Sequence, residues 1–153
     1  MQAYFTKLFV YDKWASTLLL DLLAEKTPVS PRIYELLSHI QSAQRIWLDR
    51  CLELPQSTER FVNRTPAKIR EDMENYHRAW IDYLQSLQPV DFDRIITYAN
   101  SQGQVFSDKI QDIITQVTNH GTHHRGTIIA IMKGEGYSLH ALDYIAFIRT
   151  STL

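Results

Sequence analysis

Apolar residues recur at spacings of three and four through most of the chain, the period of an amphipathic helix. From Gln2 to Ala24, the positions Tyr4, Leu8, Tyr11, Ala15, Leu18 and Leu22 predict a first helix with these residues inward. The stretch "KTPVSP" breaks it, and Ser30 before Pro31 reads as an N-cap followed by the first helical residue. A second helix follows to about Arg50, with Ile33, Leu36, Leu37, Ile40, Ala43, Ile46 and Trp47 inward. "CLELPQSTERFVNRTP" reads as a linker, and Thr65-Pro66 starts a third helix. There Ile69, Met73, Tyr76, Trp80, Tyr83 and Leu87 give the most regular alternation of fours and threes in the chain.

The pattern then changes. "RIITY" and "QVF" flank the turn-like "ANSQG", which predicts a short hairpin. Ser107 can N-cap a fourth helix that ends at Lys133-Gly134, with Gly134 supplying the left-handed residue after the helix. "YSLHALDYIAFIRTSTL" can add a short terminal helix. Four long amphipathic helices imply an all-α four-helix bundle, with the hairpin preceding the fourth helix. The connections from second to third and third to fourth helix exceed what an up-down-up-down bundle needs, so a crossover topology is open. At 153 residues the expectation is one domain spanning 1–153.

Composition excludes several classes. The formal net charge of −1 comes from interspersed acids and bases, with no basic stripe for nucleic acid. No run is long and apolar enough to span a membrane. Cys51 is the only cysteine, so no intrachain disulfide can form. The N-terminal stretch has no continuous apolar segment and no small-residue cleavage site. The expected location is the cytoplasm.

Candidate chemistry lies in the fourth helix. "NHGTHHRGT" places three of the six histidines within five residues, and His120 and His124 have the spacing H-x-x-x-H. The inward stripe there reads Ile110, Ile113, Val117, His120, His124, Ile128 and Ile131, so both histidines stand where core residues belong. Residues four apart share a helix face about 6 Å apart, and two imidazoles can therefore reach one ion. Buried histidines held by carbonyls or carboxylates fit the same pair. A third inward histidine on another helix, His39, favours metal. Three neutral ligands leave an ion its full charge and free coordination positions, the pattern of an open rather than a closed site. His123 falls off the stripe, His77 flanks the third-helix stripe, and His140 begins the terminal segment. Arg125 reads as a helix-face charge, and Gly126 as a point of close approach to another backbone. Cys51 lies about 18 Å along a helix from His39, too far to share the ion.

"HGTHHRGTI" resembles the H-x-x-x-H-R-G signature of the DinB/YfiT-like metalloenzyme family. "LLSHIQSAQRIWLDR", with His39 and Trp47, resembles that family's second-helix motif. "YDKWAS", with Tyr11 and Trp14, resembles its Y-N-x-W-A segment, and "DYIAF" its closing segment. Asp12 stands where Asn is usual, and Thr127 where Gln often follows H-R-G. The resemblance implies a four-helix bundle, usually of crossover topology and often dimeric. It also implies a divalent metal, commonly Ni or Zn, held by His39, His120 and His124. Characterised relatives include S-transferases that use the thiol bacillithiol, and mycothiol-dependent isomerases.

Three functions fit these residues. The first is a metal-dependent transferase that moves a low-molecular-weight thiol cosubstrate onto a small-molecule electrophile. The second is metal-assisted hydrolysis, and the third is a non-catalytic metal- or small-molecule-binding stress protein. No carboxylate is placed as a general base, so no catalytic residue is assigned beyond the ligands. No nucleic-acid or membrane partner is expected. The apolar residues Phe5, Phe9, Trp14, Leu19 and Leu23, off the main stripe of the first helix, suggest a twofold homodimer through that helix. The alternative is that "ALDYIAFIRT" covers this face within one chain.

Overall fold

The structure is a computed structural model that describes residues 1–25 and 29–150. Residues 26–28, part of the predicted break, and 151–153, the end of the predicted terminal segment, lie outside the described residues. Four long helices carry the fold: α1 (Gln2–Ala24), α2 (Pro31–Cys51), α3 (Pro66–Ser86) and α4 (Ile110–Gly134). A 3-10 turn at Pro89–Asp93 leads into the antiparallel hairpin β1 (Ile95–Ala99) and β2 (Val105–Lys109), and α5 (Tyr144–Thr150) closes the chain. Both α1 and α2 pack against α3 and α4. The first two helices therefore stand diagonally opposite each other, which is the crossover arrangement. Among the described residues no helix is long and apolar enough to cross a membrane.

Local chemistry explains the boundaries. Pro66 opens α3 where a missing N–H costs nothing, and the Thr65 hydroxyl accepts from the Lys68 amide at 3.2 Å. Ser107 is not the cap of α4. It pairs with Thr97 across the hairpin, their hydroxyls 2.9 Å apart, and the helix starts three residues later at Ile110. Nor does Gly134 supply the left-handed residue. It is the last residue of α4, and Gly136 takes φ +78°.

The core has two apolar ends. At one, Phe9 stacks on Trp80 at 4.8 Å between centroids and Phe5 on Phe92 at 5.7 Å, with Ile96, Ile110 and Val117 around them. At the other, Leu19, Leu23, Ile33, Leu37, Ile69, Ile128 and Met132 pack together. Along α1 the residues between these ends are Asp12 and Ser16, and along α4 they are Gly121 and Arg125; all four are buried. The bundle thus has a polar middle layer.

That layer shifts two predicted faces. In α1 the buried residues are Phe5, Phe9, Tyr11, Asp12, Ala15, Ser16, Leu19, Leu20 and Leu23. Tyr4 is 59% exposed, and Leu8, Leu18 and Leu22 are only half-buried. Most of the residues that suggested a partner surface are therefore the chain's own core. α5 covers the neighbouring face: Phe147 lies 5.8 Å from the Tyr11 ring and 5.5 Å from Trp14, while the Tyr11 hydroxyl donates to the Leu142 carbonyl at 2.9 Å. In the second half of α4 the buried residues are Gly121, Arg125, Ile128 and Met132, so the two motif histidines sit beside the core face rather than on it.

Candidate metal centre

α2 and α4 pack side by side, and His39 faces His120 and His124 across their seam. The His120 Nε2 is 3.1 Å from the His39 Nε2 and 3.1 Å from the His124 Nε2. One ligand atom from each of the three lies within 4.8 Å of the others, and each ring is half-buried. This group could hold a metal ion. The spacing tests that directly: nitrogens about 2 Å from a tetrahedral ion stand about 3.3 Å from one another. Two of the three edges are near that separation and the third lies within 4.8 Å, so the group fits with a small adjustment of one ring. Among the described residues no cysteine or carboxylate joins the group.

The linker between α2 and α3 orients the outer ligand. His39 Nδ1 lies 3.1 Å from the carbonyl oxygen of Arg60. A carbonyl can only accept, so Nδ1 carries the proton and Nε2 keeps its lone pair toward the cluster. Phe61 stacks on the same ring at 4.8 Å with planes 16° apart. The linker is held down by charge. The Arg64 guanidinium donates to Asp72 at 2.7 Å, to the Ser38 carbonyl at 2.9 Å and to the Ser42 hydroxyl at 2.8 Å. Asp49 accepts from the Ser57 amide and hydroxyl at 2.8 and 2.7 Å. Sequence reasoning treated this segment as a connection and missed its role. Phe61, an aromatic in an otherwise polar loop, was the available signal.

The cluster opens on two sides. A cleft of about 480 Å³ runs from His39 and His120 along Ala43, Ile46 and Trp47 to Arg50, with Arg60 and Phe61 on its other wall. A smaller one, about 300 Å³, reaches His39 and His124 past Arg32 and Glu35. Phe61 lines both. A further cleft, about 540 Å³, lies between α1 and α4, and none of the three histidines lines it.

Electrostatics favour neutral imidazoles. Burial lowers the His120 pKa to about 4, with His124, His39, His123 and Arg60 adding positive charge. Burial also lowers that of His124, helped by His39, His123 and Arg32. Both rings are therefore unprotonated at neutral pH, as metal ligation requires. The sign of the consequence for the metal-free protein follows. Unfolded His120 titrates near 6.5 and folded His120 near 4, so between these values the unfolded chain binds more protons. The stabilising difference is complete above about pH 6.5 and is lost as pH falls toward 4. We expect chemical denaturation of metal-free protein to show wild type losing about 1–2 kcal/mol more than His120→Gln between pH 7 and pH 4.5, after allowance for solvent screening of a half-exposed ring. Equal losses would remove His120 as the cause.

The other histidines stand apart. His123 is exposed, with its ring 5.0 Å from that of His124. His77 is half-buried on α3, its pKa lowered by burial and by Lys13. His140 is exposed beyond α4. Cys51 is buried at the end of α2, and burial pushes its thiol up to about 12, which rules out a nucleophilic thiolate at neutral pH. Arg125 is not a surface charge. It is 2% exposed and ion-paired with Asp12, which also accepts from Gln44 Nε2 at 2.6 Å. Nor is Gly126 the close-approach glycine, because a Cβ there would meet nothing within 4 Å. Gly121 is: a Cβ would collide with the Asp12 carboxylate.

A crossover four-helix bundle carrying three convergent histidines beside an open cleft fits the class of helical proteins that could hold a metal ion. A model of the DinB family matches residues 6–152, and the chain belongs to that family. It is similar to Protein DinB of Bacillus subtilis (strain 168), 26% identical over 160 residues that cover 94% of this chain and 93% of that protein. The fold is similar to that of a DinB-like protein from Bacillus cereus ATCC 10987, with a TM-score of 0.66 at 18% identity over 90% of this chain and 94% of that one.

Proposed function

We propose that the protein is a divalent-metal-dependent S-transferase that holds a low-molecular-weight thiol and joins it intact, through its sulfur, to an electrophilic carbon. The observation that carries this is the convergence of three Nε2 atoms, 3.1 Å apart along two edges, on a group that opens into a cleft. His39, His120 and His124 would hold nickel or zinc. Such an ion, when bound by three neutral ligands, keeps a coordinated thiol in its thiolate form. The Arg60 carbonyl fixes the tautomer of His39, and Phe61 shields that ring from water. Ala43, Ile46 and Trp47 give the cleft an apolar wall for the body of a small molecule.

The test is transfer from bacillithiol to a fluorogenic alkyl chloride. A carbon–sulfur bond forms, the carbon–chlorine bond breaks with its pair leaving on chloride, and the thiol proton goes to buffer. We expect turnover that requires both metal and thiol. Consumption of the chloride at the same rate by water alone would instead make the protein a hydrolase. Stoichiometric metal with neither reaction would leave a binding protein.

A further inference from the structure

The cleft beside His39 ends on the guanidinium of Arg50. Other arginines of the bundle are paired: Arg45 with Asp49, Arg64 with Asp72, Arg94 with Glu53 and Arg125 with Asp12. Among the described residues no carboxylate stands within ion-pair distance of Arg50. Its guanidinium lies instead over two rings, 4.4 Å from the centroid of Trp47 and 4.2 Å from that of Tyr98. The two rings meet edge to face at 5.3 Å, which fixes the platform. Asp108, which accepts from the Tyr98 hydroxyl at 2.6 Å, acts on Arg50 only from beyond ion-pair distance.

A guanidinium resting on aromatic faces keeps its in-plane N–H groups for bidentate binding of an oxyanion. Arg60 lines the same cleft and adds positive charge, and Glu59, also lining it, is exposed to water. Burial lowers the Arg50 pKa, Tyr98 opposes this, and Arg60 lowers it further. An arriving anion would relieve both unfavourable causes. Distance also suits a single ligand. Arg50 folds back over Trp47, and Trp47 is about 12 Å along the helix from His39 at 1.5 Å per residue. A molecule of tripeptide size spans that gap.

We propose that the substrate carries an oxyanion, a carboxylate or phosphate group, and that Arg50 is the specificity-determining residue that receives it, with Arg60 assisting from the linker. This deepens the thiol-transfer reading and rests on it only for the end of the cleft at the histidines.

The probes are glutathione, a thiol with two carboxylates, and its diethyl ester, in which both are neutralised. Calorimetry on zinc-loaded protein reads binding wherever the sulfur goes. The thiolate-to-metal absorption of cobalt-loaded protein reads sulfur on the ion. We expect glutathione to bind roughly tenfold or more tighter than its ester. Arg50→Gln should abolish that preference, Arg50→Lys should restore part of it, and metal content and helical circular dichroism should stay unchanged in both. Inorganic phosphate and succinate as competitors distinguish the two oxyanions. A preference that depends on Arg50 without the cobalt band would uphold the anion site and defeat the thiol reading. Equal affinities for acid and ester, an unchanged preference in Arg50→Gln, or no binding of glutathione would each overturn the inference, whatever the cobalt band shows.

Discussion

Replacing His39, His120 or His124 singly by alanine should reduce metal affinity by more than about 100-fold. Loss of a group that merely orients a ligand already costs 10–100-fold, and each of these changes removes a ligand itself. The cluster has no spare donor: among the described residues only these three offer atoms within 4.8 Å of one another. His77→Ala and His140→Ala should keep full stoichiometry, since neither belongs to the cluster. His123→Ala should do the same, because its ring touches that of His124 from an exposed position. The measurement is elemental analysis of protein purified without a histidine tag, followed by competition with a chelator for the affinity. Denaturation curves of the metal-free variants separate loss of ligand from loss of fold. Full metal content in His39→Ala would remove the cross-helix site, since α2 supplies only that ligand.

The long helices and the hairpin could be read from periodicity because most of their buried residues are apolar and regularly spaced. α3 is the clearest case: Ile69, Met73, Trp80, Tyr83 and, just past its end, Leu87 are buried as their spacing predicts, while Tyr76 is half-buried. The meeting of His39 with His120 and His124 was also legible, although the histidines stand at the edge of a stripe and not at its centre. Two faces were misread for one reason. Asp12 and Ser16 on α1 look like surface residues, so periodicity puts the stripe at Tyr4, Leu8, Tyr11, Ala15, Leu18 and Leu22, of which only Tyr11 and Ala15 are buried and the other four lie toward the outside. Arg125 on α4 looks like a surface charge and Gly121 like nothing at all. Each polar residue is buried only because the other is there, and single-helix periodicity cannot register a pair that spans two helices. The linker was opaque for a related reason. Its role comes from a backbone carbonyl, that of Arg60, and any residue supplies one.

That buried pair should be the most costly polar contact in the molecule to break. The side chains of Arg125 and Asp12 are 3% and 6% exposed. The guanidinium also donates to the Ser16 hydroxyl at 3.3 Å and the Thr122 hydroxyl at 3.2 Å, and lies 5.5 Å from the Tyr11 ring. Arg125→Met would leave the Asp12 carboxylate buried with Gln44 as its remaining donor, and should cost about 3–5 kcal/mol in urea denaturation. Asp12→Asn should cost less, about 1–2 kcal/mol, because the amide oxygen still accepts and Ser16 and Thr122 still receive the guanidinium. Gly121→Ala tests the same contact by volume, since its Cβ would enter the space of the Asp12 carboxylate. Both sites adjoin ligands in sequence, Gly121 after His120 and Arg125 after His124, so the pair sets how closely this part of α4 approaches α1. The discriminating variant is the double replacement Asp12→Leu with Arg125→Met. If the two charges act as one unit, the double variant should be less destabilised than the sum of its singles by about 1–3 kcal/mol, because it leaves no charge buried alone. Additive losses would mean that each residue is held by its other neighbours and that the ion pair contributes no coupling of its own.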